Sequence, residues 1–160
     1  MSTKTKSLDL YQPIEFRAIL KQNYLDFFKQ KITDFGNLRK YPIFDAMILS
    51  KALPVSTLEL TTLKKFILPK NLCDSQILAE IGGAAFFHAD QLLAVIYCLV
   101  ANQAWGKRGH LHTDGKANLF FAKDYVIDLR WKFATQTWEI DLYNIEDDGP
   151  WLQGAYVIYA

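Results

Sequence analysis

Cysteine is scarce in this sequence. The 160 residues contain two cysteines, Cys73 and Cys98, and two cannot build the several bridges of a disulfide-rich secreted fold. An excess of charge of one sign is also missing, because 18 lysines and arginines stand against 17 aspartates and glutamates and leave a net charge of +1. We therefore expect no nucleic acid as a partner, since binding a polyanion usually requires a strongly basic surface.

Long hydrophobic runs are absent too. The longest one, residues 92–101, has ten apolar residues, whereas a helix needs about 20 to cross a bilayer. The N-terminal region lacks an apolar core followed by a small-residue cleavage site, so we expect no signal peptide. These absences predict a cytoplasmic protein that does not bind membranes. Export by a route without a signal peptide stays open as an alternative.

What remains is the composition of one ordinary folded domain. Hydrophobic residues make up 51% of the chain and charged residues 22%, and 160 residues are enough to bury a core. Residues 1–10 have almost nothing to bury, so we predict a disordered tail there and a single α+β domain over residues 11–160. Within the domain we expect a helical layer over residues 11–106 and a sheet layer over residues 107–160.

Helical spacing of apolar residues dominates the first part of the chain. Apolar residues follow Pro13 at intervals of three and four, which predicts a first helix. Pro42, Ser56 and Asp74 each suit the first residues of a further helix. Residues 92–101 are apolar all round and predict a helix in the middle of the core. The pattern thus predicts four to five helices.

Strand spacing replaces helical spacing after Trp105. Residues 125–133 and 138–142 alternate between apolar and polar side chains, which predicts a β-hairpin with its turn at residues 134–137. Apolar and charge matching together predict the following opposite pairs: Phe133 with Trp138, Trp131 with Ile140, Leu129 with Leu142, Lys132 with Glu139 and Arg130 with Asp141. Further strands are expected at residues 117–122 and 155–159.

These elements predict an α+β fold of two layers. Four to five N-terminal helices would pack on one face of a C-terminal antiparallel sheet of three to four strands. The apolar face of the sheet and the apolar core helix would each bury the other, because neither can leave so much apolar surface in water.

One short motif has the residue types of a metal site. His110, His112 and Asp114 alternate along the chain, so two imidazoles and a carboxylate would share one face of a strand. A metal site needs three or four ligands with further support, and the only other histidine is His88. We therefore expect neither a metal nor another cofactor. A metal-dependent hydrolase or a ligand-binding protein that uses these three residues is the alternative.

Other catalytic arrangements lack a member. Cys98 lies in the apolar core segment, where burial makes a thiol inert. Asp128 and Asp141 have the residue types of an acid–base pair, but the predicted register neutralises Asp141 with Arg130. We therefore expect a protein that is not an enzyme.

Aromatic and acidic residues near the C-terminus indicate a contact surface. Trp151 and Tyr143 are hard to place inside the predicted sheet, and Glu146, Asp147 and Asp148 form an acidic loop beside them. Large aromatic residues at exposed positions are typical anchors of protein interfaces. The equally open alternative is that Trp151 closes the sheet over the core.

The sequence thus predicts a non-catalytic interaction or regulatory protein, such as an inhibitor, an adaptor or a small effector. The C-terminal sheet and its acidic loop would bind a protein partner. A homodimer formed through sheet edges or exposed aromatic residues is a further possibility.

Overall fold

A large mixed β-sheet forms the centre of the molecule. The computed structural model describes residues 12–19, 24–55, 57–82 and 87–159, and the predicted tail at residues 1–10 lies outside these ranges. In the described residues one sheet has eight strands, a second has two, and helices pack on both sides of the large sheet.

The described strands and helices follow one another along the whole chain. The strands are β1 (Gln12–Ile19), β2 (Ile32–Thr33), β3 (Gly36–Lys40), β4 (Thr57–Ile67), β5 (Leu72–Cys73), β6 (Asn118–Phe121), β7 (Tyr125–Lys132), β8 (Thr137–Asn144), β9 (Pro150–Trp151) and β10 (Tyr156–Tyr159). The α-helices are α1 (Pro42–Met47), α2 (Asp74–Ile81) and α3 (Ala89–Asn102). Short 3₁₀ helices lie at Tyr24–Lys29, Leu49–Lys51, Ala104–Gly106, Phe133–Thr135 and Ile145–Asp147.

The large sheet mixes parallel and antiparallel pairs. Its strand order is β1-β4-β10-β6-β7-β8-β3-β2, and β5 pairs with β9 in the small sheet. The β6–β10 and β3–β8 pairs are parallel, and the other pairs of the large sheet are antiparallel. Strands from the C-terminal half therefore form the centre, and strands from the N-terminal half form both edges.

Two apolar cores cover the two faces of the sheet. On the first face, α3 and the 3₁₀ helix at Tyr24–Lys29 pack against side chains that include Phe120 and Ile127. On the second face, Ile77 of α2 and the small sheet pack against alternate residues such as Leu119 and Val126. Strand β6 is buried on both faces, and such a strand reads as a continuous apolar run.

The predicted fold class is wrong in its layers. The segments expected to form helices after Pro13 and Ser56 are strands β1 and β4, and the sheet is mixed, with eight strands rather than three to four antiparallel ones. Strand β1 pairs with β4 along its length, with Gln12 opposite Lys65 and an irregularity between Ile14 and Phe16. Such pairing depends on a partner about fifty residues away, and the spacing of apolar residues within eight positions fits both a helix and a strand.

Several local predictions are confirmed. Helices α1, α2 and α3 lie where the proline, the Asp74 and the ten-residue apolar signals place them. Strands β6 and β10 also lie in the expected segments, but β10 runs parallel to β6 and inserts between β6 and β4. None of the described helices is long and apolar enough to cross a membrane.

The β7–β8 hairpin is confirmed, but the predicted register is wrong by two residues, so none of the five predicted opposite pairs forms. Trp131 lies opposite Trp138, both are buried on the same face, and their ring centroids are 5.0 Å apart. A shift of two keeps every side chain on its face, so the apolar pattern fits both registers equally. The turn distinguishes the two registers. It begins at Phe133, which has 81% of its surface exposed, and ends at Gln136, which takes a left-handed conformation with φ 48°.

The segment after α3 is folded against this tryptophan pair. The backbone N–H of Trp105 and the indole Nε1–H of Trp138 both donate to the carbonyl of Phe35, at 2.9 and 3.0 Å. Gly106 has φ +72°, and a Cβ at this position would collide with the indole of the buried Trp131. The close approach of backbone and ring therefore requires glycine at position 106.

The first prediction concerns this close approach. Gly106→Ala should lower the free energy of unfolding in urea by about 1–3 kcal/mol more than Gly115→Ala does. Both glycines have positive φ, but a Cβ at Gly115 meets nothing within 4 Å. The difference between the two variants therefore isolates the collision with Trp131, and equal losses would contradict this packing.

Candidate functional site

Part of the second face of the sheet, on β7 and β8, is not covered by the second core and is polar. We call it the polar face; it consists of alternate residues of two neighbouring strands, Asp128, Arg130 and Lys132 of β7 and Glu139, Asp141 and Tyr143 of β8. With Tyr41 these residues line a groove of about 240 Å³. The intervening residues, such as Leu129 and Ile140, point to the first core. Strand periodicity thus puts a continuous apolar row and a continuous polar row on opposite sides.

Asp128 is the buried member of the polar face. Only 4% of its surface is exposed, and Arg130 Nε donates to both of its carboxylate oxygens, at 2.9 and 3.1 Å. Asp141 lies directly opposite Asp128 on the neighbouring strand. Burial raises the pKa of Asp128 to about 6, and the Arg130 charge opposes this rise, while the Asp141 charge adds to it. Asp128 therefore keeps its proton to a higher pH than an ordinary aspartate does.

Tyr143 links the polar face to the neighbouring pocket. Burial and its hydrogen bond to Asp141 raise the pKa of Tyr143 to about 12, so the phenol keeps its proton and donates to the carboxylate. The ring also makes an edge contact with Trp151, with centroids 5.3 Å apart. Tyr143 is 41% exposed and is thus available to a bound molecule.

A second concave site adjoins the polar face. We call it the Asp74 pocket; Asp74, Arg130, Tyr143, Asp147, Trp151 and Leu152 are among its lining residues, and its volume is about 320 Å³. Asp74 is the first residue of α2 and is 1% exposed, and its Oδ1 accepts a 2.6 Å hydrogen bond from Trp151 Nε1. Burial raises the pKa of Asp74, the Trp151 bond lowers it, and the charges of Asp148 and Asp147 raise it further.

The acidic loop forms the rim of the Asp74 pocket. Asp148, with φ 46°, accepts a 2.7 Å hydrogen bond from the backbone N–H of Ser75 and so attaches the loop to α2. Glu146 donates its backbone N–H to the side chain of Asn144, while the Glu146 and Asp147 side chains stay exposed. One acidic residue of the loop therefore has a structural contact, and two point their charge at solvent.

The residues predicted as a partner-binding set lie close together. Tyr143, Asp147 and Trp151 line one pocket, and Glu146 and Asp148 flank it. Trp151 is only 8% exposed and belongs to the second core, so it forms a wall of the pocket rather than a projecting anchor. This position agrees with the alternative in which Trp151 closes the sheet over the core.

Sequence reasoning does not assign the two buried carboxylates, Asp74 and Asp128, to this site. The predicted register pairs Arg130 with Asp141 and so excludes Asp128 and Asp141 as an acid–base pair, whereas Arg130 contacts Asp128 two residues away on its own strand. Asp74 was interpreted only as the start of a helix. The signal that was available for Asp128 is its place between Ile127 and Leu129 in a strand with apolar residues on both sides.

The His110, His112 and Asp114 motif lies elsewhere, at one end of the first core. His112 Nε2 contacts the carbonyl of Gly154 at 2.7 Å and therefore donates its hydrogen, and the ring stacks on Tyr156 with centroids 3.5 Å apart. Its Nδ1 is 3.6 Å from Asp114, and burial lowers the pKa of His112. In the described part of the chain no group of three histidine, cysteine or acidic side chains could hold a metal ion.

Comparison with known proteins gives no relative for this chain. No protein-family model, no curated protein and no solved structure matches it.

The second prediction follows from the buried carboxylate. The folded-state pKa of Asp128, about 6, lies above its ordinary value of 3.8, so the folded state holds the proton more tightly than the unfolded state. The protonated form of Asp128 stabilises the folded state, and this contribution is lost as the pH rises from about 4 to about 7. Over this window, wild type should lose up to about 3 kcal/mol of unfolding free energy relative to Asp128→Asn.

Urea unfolding at a series of pH values measures this difference. The control is Asp34→Asn, which removes an exposed carboxylate on the other side of the sheet. Its stability should run parallel to that of wild type across the same window. Parallel curves for wild type and Asp128→Asn would show that Asp128 is not a strained buried carboxylate.

Proposed function

We propose that the protein is a non-catalytic interaction protein that binds a basic segment of a partner protein across its polar face and Asp74 pocket. The supporting observation is the charge of these two adjoining grooves. Five carboxylates line them, from Asp74, Asp128, Glu139, Asp141 and Asp147, against the two cations Arg130 and Lys132. A partner segment with lysine or arginine residues complements this excess.

The internal contacts of the polar face leave part of its negative charge for a partner. Arg130 is committed to Asp128, and Glu139 lies 3.8 Å from Arg39 and 3.9 Å from Lys132. Asp141 instead accepts a hydrogen bond from the neutral Tyr143. Exposed ion pairs are worth only about 0.2–1 kcal/mol each, so a partner would need several contacts along the groove to bind specifically.

A cytoplasmic location belongs to this proposal. Cys73 and Cys98 are both free thiols, and burial raises the pKa of Cys98 to about 11. Free thiols are typical of proteins that work in a reducing compartment.

The third prediction tests the charge of the polar face. The probes are two fluorescein-labelled octapeptides, one alternating lysine with serine and the other alternating glutamate with serine. The lysine peptide should bind wild type, and Glu139→Lys with Asp141→Lys should weaken this binding at least tenfold in fluorescence anisotropy, because two attractive charges become repulsive. The glutamate peptide should not bind wild type.

The control for this experiment reverses two charges on the other side of the molecule. Asp26→Lys with Asp34→Lys changes exposed carboxylates by the same amount, and this variant should bind the lysine peptide like wild type. Equal weakening in both double variants would mean that only the net charge matters and would refute the proposed face. Light scattering of the free protein shows whether a second copy occupies the face instead.

A second candidate function has one specific observation in its favour. Asp128 and Asp141 lie directly opposite each other in unlike surroundings, one buried beside Arg130 and the other bonded to Tyr143. Pairs of carboxyl groups with different environments are the acid and base of many hydrolases. Turnover of a chromogenic glycoside or ester that is abolished in both Asp128→Asn and Asp141→Asn would favour this enzyme over the binding protein.

A further inference from the structure

The Asp74 pocket has a charged base and mainly apolar walls. The carboxylate of Asp74 is 1% exposed, whereas Tyr143, Pro150, Trp151 and Leu152 line the sides. Leu152 is 70% exposed at the outside, and Asp147 adds a carboxylate at the rim. The pocket therefore has a carboxylate at its deep end and another at its mouth, with apolar surface between them. The cation that also lines it, Arg130, is already bonded to both carboxylate oxygens of Asp128.

Asp74 has no basic partner in the described part of the chain. Its carboxylate accepts a hydrogen bond from the neutral indole of Trp151. No lysine, arginine or histidine among the described residues forms an ion pair with it. A buried carboxylate is costly unless it is paired with a cation or holds a proton. The direction of its pKa, raised by burial and by two neighbouring carboxylates, agrees with a site that lacks its counter-charge.

The start of α2 does not compensate this charge. A helix N-terminus is equivalent to about half a positive charge. Three carboxylates, those of Asp74, Asp147 and Asp148, lie around it, and Asp148 already bonds the backbone N–H of Ser75. The balance at the base of the pocket is therefore negative, and a cation is the favoured occupant.

The shape of the pocket selects among cations. A bare metal ion would need several oxygen, nitrogen or sulfur ligands, and the described residues contain no cluster of three. The pocket volume of about 320 Å³ also exceeds what one ion fills. Lysine and arginine side chains have a long aliphatic stem below a charged head, so apolar walls contact the stem while a carboxylate meets the head.

We propose that the Asp74 pocket binds one lysine or arginine side chain of the partner segment, with the cationic head at Asp74 and the stem between Tyr143 and Leu152. This proposal rests on the proposed function for the source of the side chain. It adds a specificity position, because a partner would need a basic residue at the one point of its sequence that faces the pocket. The polar face then attracts basic segments in general, and the pocket selects those that carry a basic residue at the position facing it.

The fourth prediction uses small probes that need no partner. N-acetyl-arginine amide should bind wild type and shift the indole N–H signal of Trp151 saturably in two-dimensional NMR. N-acetyl-citrulline amide has nearly the same shape but no charge, and it should cause no saturable shift. The indole signals of Trp131 and Trp138, which lie in the core on the first face of the sheet, should stay unchanged with both probes.

Asp74→Asn tests the role of the carboxylate. Asparagine keeps an oxygen that accepts from Trp151 Nε1, so the wall of the pocket should persist while the charge disappears. The dissociation constant for the arginine probe should rise at least tenfold, and Asp34→Asn should leave it unchanged. Equal binding of arginine and citrulline probes to wild type would overturn the proposal without reliance on any variant.

The two proposals can fail separately. Binding of the arginine probe at Trp151 together with no binding of the lysine octapeptide would support the pocket and refute the partner-binding face. Binding of the octapeptide that leaves the Trp151 signal unshifted would support the face and refute the pocket. If both hold, the octapeptide should displace the arginine probe.

Discussion

The burial of the central strands on both faces is the constraint on which the rest of the structure depends. Phe120 of β6 packs into the first core and Leu119 into the second, so the sheet needs a cover on each side. The first cover, with α3, spans the sheet from β4 to β3. The second, with α2 and the small sheet, packs on β6, β10 and the start of β7. The polar face begins where this second cover ends, and the Asp74 pocket lies at the boundary.

This arrangement explains which parts of the fold could be predicted from the sequence. The alternation of residues 125–133 and 138–142 marks the β7–β8 hairpin, and the ten-residue apolar run marks α3; both elements are confirmed, although the register of the hairpin is not. The edge strand β1 has no such signal, because Ile14, Phe16 and Ile19 fit a helix and a strand alike. Its conformation is decided by pairing with β4, which is a contact between distant segments. The parallel β10–β6 pair depends on such contacts too.

The candidate site was accessible to prediction only in part, because it depends on register. A shift of two residues along β8 leaves the apolar pattern of the hairpin intact but changes the neighbours of every charged residue. It places Asp128 rather than Arg130 opposite Asp141. Residue type alone marks Tyr143, Asp147 and Trp151 as candidates, whereas Asp74 comes from a segment about seventy residues earlier in the chain. No local pattern relates Asp74 to Trp151.

The position of the two buried carboxylates bears on how such a site could discriminate between partners. Asp74 and Asp128 lie at the margin of the second core, where water is largely excluded, whereas Glu146 and Asp147 lie in solvent. Salt screens the solvent-exposed charges, so they mainly raise the rate of encounter with any basic segment. A buried carboxylate distinguishes a cation that reaches it from one that does not, because the wrong occupant leaves it desolvated and unpaired. The exposed carboxylates would thus attract a basic segment, and the buried carboxylates would select among such segments. Only the selection requires the apolar walls that Tyr143 and Trp151 supply.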